Sequence, residues 1–132
     1  MDVKTISQRI IVAASPEEAY DAYVDEKKHS EFTGSEAKID PKVGGRFTAW
    51  DGYIKGKNVE LIRGRKIVQE WATSEWPADY PPSRLELSFR KVKTGAEILM
   101  EHSGVPVGEV DEVEQGWIDF YWEPMKTYFK KQ

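Results

Sequence analysis

Apolar and polar residues alternate at the start of the chain: Ile6, Ile10 and Val12 fall on one parity, and Ser7, Arg9 and Ile11 on the other. With its β-branched enrichment this predicts a first strand. The period then changes. Ser15-Pro16-Glu17-Glu18 joins a cap serine, a proline at the first helical position and a glutamate three residues after the serine, which is a capping box. The helix it opens carries Ala19, Tyr20, Tyr23 and Val24 at helical spacing, and a second short turn over Glu26 to Phe32 runs up to Gly34.

From there the pattern is β. Asp40 to Gly45 reads as a turn, Arg46 to Trp50 alternates, and Asp51-Gly52 is a two-residue hairpin signal that predicts a hairpin over Phe47 to Lys57. Further strands are predicted at Lys66 to Thr73, Arg84 to Val92 and Ala96 to His102, the last two joined through Lys93-Thr94-Gly95. Period-two reading places Ile67, Trp71, Leu85, Leu87, Phe89, Ile98, Met100 and His102 on one buried face. Trp76-Pro77 through Pro81-Pro82 interrupts the meander with a loop, because proline cannot donate to a ladder.

After Pro106 the acidic residues Glu109, Asp111, Glu112 and Glu114 precede Gly116-Trp117, and the chain ends in basic residues. A helix dipole favours that order of charge. Val113, Trp117, Tyr121 and Tyr128 form one stripe of this last helix, with Ile118, Trp122, Met125 and Phe129 as a second stripe beside it. Pro124 removes the backbone donor to Phe120, so a kink is expected there. The pattern as a whole predicts an α+β domain: a curved antiparallel sheet of about six strands, two short helices after the first strand, and a long C-terminal helix gripped by the sheet.

Length and charge narrow the possibilities. The 132 residues fit one domain spanning 1–132, and 39% hydrophobic residues are enough for a core. The net charge of −4 is mixed along the chain, which leaves nothing to attract nucleic acid. Lys126, Lys130 and Lys131 read as cations at a helix C-terminus. Without cysteine there is no disulfide framework, thiolate metal site or thiol nucleophile, and a reducing cytoplasm suits such a chain. Met1 to Gln8 has no apolar run, so neither a signal peptide nor a membrane span is expected.

Candidate chemistry is sparse. His29 and His102 lack metal-ligand spacing, and neither a metal site, another cofactor nor a set of catalytic residues is expected. His102 continues the inward alternation after Ile98 and Met100, in a position for an acid, base or hydrogen-bond donor, although a hydrogen-bonded rim residue is the commoner role. Glu101 points to the opposite face and cannot form a dyad with it. Trp71 and Trp117 are expected in the core, whereas Trp50, Trp76 and Trp122 are candidates for a partner-binding surface.

Taken in order, Gly44-Gly45-Arg46-Phe47, Asp51-Gly52, Gly56, Ile67-Val68 with Glu70-Trp71, Trp76-Pro77, Gly95 with Glu97, Gly104 with Pro106, and Gly116-Trp117 followed by Tyr121, Lys126 and Phe129 resemble the C-terminal domain of the activators of heat-shock protein 90 (Hsp90) ATPase. The similarity covers nearly the whole chain. It implies the helix-grip, START-like fold, in which sheet and helix can enclose an apolar cavity. It also implies docking on the Hsp90 chaperone and stimulation of its ATP turnover, here by a non-catalytic binding domain; the chain is expected to be a monomer.

Fold alone does not choose a function. The alternative is a START-like binder of a small hydrophobic ligand, with Phe47, Trp71, Leu87, Met100, His102, Trp117 and Tyr121 lining the cavity between sheet and helix. A third reading, an enzyme like the polyketide cyclases of the wider superfamily, would need His102 or a buried carboxylate beside that cavity.

Overall fold

The computed structural model describes residues 2–130. Strand β1 (Val3–Val12) leads into helices α1 (Pro16–Val24) and α2 (Glu26–Thr33). The capping box forms as the sequence predicts: Ser15 Oγ accepts from the Glu18 N–H, and the Glu18 carboxylate accepts from the Ser15 N–H. Helix α2 ends at Gly34 with φ 75°, the left-handed conformation that glycine adopts without strain.

Six more strands follow: β2 (Lys38–Ile39), β3 (Arg46–Ala49), β4 (Ile54–Ile62), β5 (Lys66–Thr73), β6 (Ser83–Val92) and β7 (Gly95–Pro106). They form one antiparallel sheet in the order β1-β7-β6-β5-β4-β3-β2. The sheet thus has seven strands where the alternation predicted about six, since the two residues of β2 are too few to show a period. Gly56 pairs with Phe47, and a Cβ there would lie 1.9 Å from the Glu70 carbonyl and 2.6 Å from the Phe47 ring, so only glycine fits.

The β3–β4 connection departs from the two-residue hairpin expected at Asp51-Gly52. Ala49 pairs with Ile54, leaving a four-residue turn in which Trp50, Asp51 and Gly52 all have positive φ, at 52°, 56° and 90°. Such a φ is an outlier for a bulky side chain. Two hydrogen bonds hold it in place: Asp51 donates its N–H to the Glu36 carbonyl, and its Oδ1 accepts the Glu36 N–H.

The last helical segment comprises α3 (Val110–Trp117), a π turn over Ile118–Trp122 and α4 (Glu123–Lys130). The π turn lies directly before Pro124. Proline has no N–H for the Phe120 carbonyl, and the helix widens so that the Glu123 N–H reaches Ile118 O. Where a kink was expected near Pro124, the helix carries one wide π turn. That turn also reassigns the second apolar stripe: Trp122, Met125 and Phe129 face inward, while Ile118 is exposed. Lys126 and Lys130 are exposed near the helix end, and Lys131 lies outside the described residues.

Segments α3 and α4 pack on β1, α4 also packs on α2, and α1 packs on β6 and β7. The inner sheet face puts Ile67, Trp71, Leu85, Leu87, Phe89, Ile98, Met100 and His102 into the core, as the alternation predicts. Glu97 breaks the rule by being 1% exposed on the outer parity. Arg9 and Arg90 each bind one of its carboxylate oxygens, and these bonds, that from Arg90 foremost, hold its pKa below the usual range. Two arginine side chains, rather than the core, cover it.

Candidate functional site

Two networks of buried polar groups tie the final helix to the rest of the molecule. In the first, the Trp117 indole N–H donates to His102 Nδ1 at 3.1 Å. That fixes the proton on Nε2, which donates to Ser83 Oγ at 2.7 Å, and Ser83 in turn donates to the Trp71 carbonyl at 2.6 Å. His102 is 0% exposed, and burial pulls its pKa down to about 3, so the ring is neutral. Both ring nitrogens are engaged inside the protein.

In the second network, His29 Nδ1 donates to the Tyr23 carbonyl at 2.7 Å, and its Nε2 accepts the Tyr121 hydroxyl at 3.0 Å. Burial lowers the His29 pKa to about 4, against the opposing pull of the Tyr23 carbonyl, and burial raises the pKa of Tyr121 and of Tyr23. The Tyr23 hydroxyl donates to Gln69 Oε1, the Gln69 amide to Asn58 Oδ1, and the Asn58 amide to the Asp40 and Lys42 carbonyls. This chain runs from the helices across β5 and β4 to the turn before β3. Its sequence signal was the parity of Gln69, midway between Ile67 and Trp71 on the inward face of β5. His29 had drawn notice only as a metal ligand, and no metal-binding group of His, Asp and Glu exists among the described residues.

Open volume lies elsewhere. A groove of about 700 Å³ runs between the final helix and the end of the sheet formed by the β3–β4 turn and β5. Trp50, Tyr53, Ile54, Trp71 and Thr73 line it on the sheet side, and Val113, Gly116, Trp117, Phe120 and Tyr121 on the helix side. Trp50 meets Phe120 edge-on with ring centroids 5.2 Å apart. Trp50 Nε1 lies near the Tyr121 hydroxyl without meeting hydrogen-bond geometry, and the indole N–H groups of Trp71 and Trp76 also lack acceptors.

The structure divides the residues expected to line a cavity. Trp71, Trp117 and Tyr121 reach the groove wall. Phe47, Leu87, Met100 and His102 do not: they are sealed in the packed interior, because the helix fills the middle of the sheet and leaves space only at one end. The surface candidates also divide. Trp122 is 3% exposed, stacks on Trp117 at 5.2 Å and donates its indole N–H to Gln8 Oε1, so it is no surface anchor. Trp76 is half-buried against Trp71, and Trp50 is half-buried in the groove wall. Sequence reasoning missed Tyr53 and Phe120, which lie at a turn and in the π turn, where no period marks them.

A seven-stranded antiparallel sheet wrapped on a long C-terminal helix, with the open volume at one end of their interface, defines a helix-grip protein of the START-like class. The family model described as "Activator of Hsp90 ATPase homolog 1-like protein" matches residues 13–130, and the chain belongs to that family. It is 30% identical over 115 residues to the human activator of 90 kDa heat shock protein ATPase homolog 1, covering 87% of this chain and 34% of the relative. The Dictyostelium discoideum activator homolog is 33% identical over 117 residues, covering 86% of this chain and 30% of the relative. The chain thus spans about a third of the length of these relatives. Among solved structures, an HSP90 activator from Plasmodium falciparum superposes with a TM-score of 0.85 at 23% identity, covering 97% of this chain and 96% of the other. No helix among the described residues is long and apolar enough to cross a membrane.

Proposed function

We propose that this chain is an Hsp90-binding domain of co-chaperone type, expected to work in the cytoplasm. The observation that supports it most is the family match across residues 13–130, which takes in β3, β4 and the whole final helix rather than a short motif. Binding is the claim, and stimulation of ATP turnover is a second, separable outcome. Titrating the chain into Hsp90 of the same organism should perturb a contiguous set of its amide resonances, with ATP turnover recorded in parallel. Unchanged amides at high Hsp90 concentration would sink the reading.

A second reading is favoured by the groove, whose size falls within the roughly 300–1,000 Å³ usual for small-ligand sites. In this reading the domain holds a small, mainly apolar molecule against Trp50, Trp71 and Phe120. The cyclase-type alternative has weaker support, since His102 spends both nitrogens on Ser83 and Trp117 and does not line the groove.

A further inference from the structure

The groove has an apolar bed and an acidic border. Glu109, Asp111, Glu112 and Asp119 line it, and among the described residues no lysine, arginine or histidine does. Opposite them Tyr53 donates its hydroxyl to the Glu75 carboxylate at 2.6 Å, and Glu75 and Glu112 both help to raise the tyrosine pKa, behind the larger effect of burial. A negative border therefore flanks the apolar floor along the helix side, and across it Tyr53 carries the Glu75 carboxylate on its hydroxyl.

Helix-dipole complementation accounts for part of this charge, because Asp111 and Glu112 stand in the first turn of α3. It does not account for Asp119, which is in the π turn, or for Glu75, which is in the loop after β5. Trp71, 4% exposed, lies on the groove wall with its indole N–H enclosed in the protein and without an acceptor.

Resting on the reading of the groove as a ligand site, we infer that its ligand is a small amphiphile with an apolar body and a positively charged end, an alkyl or aryl ammonium by chemical class. The body lies between Trp50, Trp71 and Phe120, replacing water on apolar surface. The ammonium sits at the border formed by Asp111, Glu112 and Asp119 with Glu75 across from it, and aromatic faces at Trp50 and Tyr53 add attraction for a cation. An anionic amphiphile of the same shape meets only like charge there.

Three probes with one tail separate the contributions: octyltrimethylammonium, octyl glucoside and octyl sulfate, each below its micelle concentration. Binding is read from the amide and indole N–H resonances of Trp50, Trp71 and Trp117. The cation should bind roughly tenfold tighter than the neutral probe at low ionic strength, with the gap shrinking in high salt. The triple variant Asp111→Asn, Glu112→Gln, Asp119→Asn changes exposed side chains only and should remove most of the preference while keeping the tail's affinity. Equal binding of cationic and neutral probes overturns the charge assignment and leaves the groove reading standing. Groove resonances unmoved by all three probes overturn both. A Lys/Leu amphipathic peptide that binds where the small cation does not overturns the small-molecule assignment.

Discussion

The two ends of the helix–sheet interface are built on opposite rules. Around His102 and His29 every ring nitrogen has a partner, the tautomers are set by neighbours that can only donate or only accept, and the surrounding aromatics are packed. At the groove end, Trp50 and Trp71 keep indole N–H groups without acceptors, Phe120 is 54% exposed, and apolar surface faces open volume. Trp117 and Tyr121 belong to both, with the indole N–H and the hydroxyl in the closed networks and the residues on the groove wall. The contrast sets a fully bonded contact between helix and sheet beside an open one. The closed end leaves no buried ring nitrogen unpaired, whereas the open end presents apolar surface to open volume.

Replacing a residue that joins the two ends should have the largest effect. Trp117→Ala removes a buried indole and leaves His102 Nδ1 without its donor, for an expected loss of about 3–5 kcal/mol by chemical denaturation. A loss below about 1 kcal/mol would mean that the closed end is not closed.

Acid should come next. Both histidines have folded pKa values below the ordinary 6.5, at about 4 and about 3, so the unfolded chain binds the extra protons. Their contribution to stability is fully present above pH 6.5 and is lost as pH falls from there toward 3. By pH 5 the loss is on the order of 2 kcal/mol for each histidine. Denaturation midpoints between pH 5 and 8, together with imidazole resonances that stay neutral in the folded protein at pH 5, check this. A ring that titrates near 6.5 while the protein remains folded contradicts the buried assignment.

Smaller still, Tyr23→Phe deletes one link of the second network and strands the Gln69 carbonyl, for about 1–3 kcal/mol in the same assay. At the other end, Phe120→Ser should shift stability by no more than about 0.5 kcal/mol, because the ring is largely exposed, and it should weaken any groove ligand. If Phe120→Ser destabilises the fold as much as Tyr23→Phe does, the two ends do not differ in kind.

Much of this architecture was legible in local pattern. The capping box at Ser15 and the inward parity of β5 to β7 each follow from interactions a few residues apart. The partly visible features were those whose partner is remote. His102 was placed on the inner face by alternation, but its role depends on Trp117 and Ser83, which come from the helix and from a neighbouring strand. Trp122 was expected at the surface and Phe47 and Met100 at a cavity, and the structure buries all three, because the helix fills the middle of the sheet and leaves space only at one end.

By itself, then, the sequence determined the order of elements, the buried face of the sheet and the family resemblance, since periodicity and turn chemistry are written in neighbouring residues. Only the tertiary structure decided that the middle of the grip is filled, that both histidines are neutral and internally bonded, and that space opens beside Trp50 and Phe120 under an acidic border. Burial, protonation and empty volume are properties of what surrounds a side chain, and here those surroundings come from residues tens of positions away.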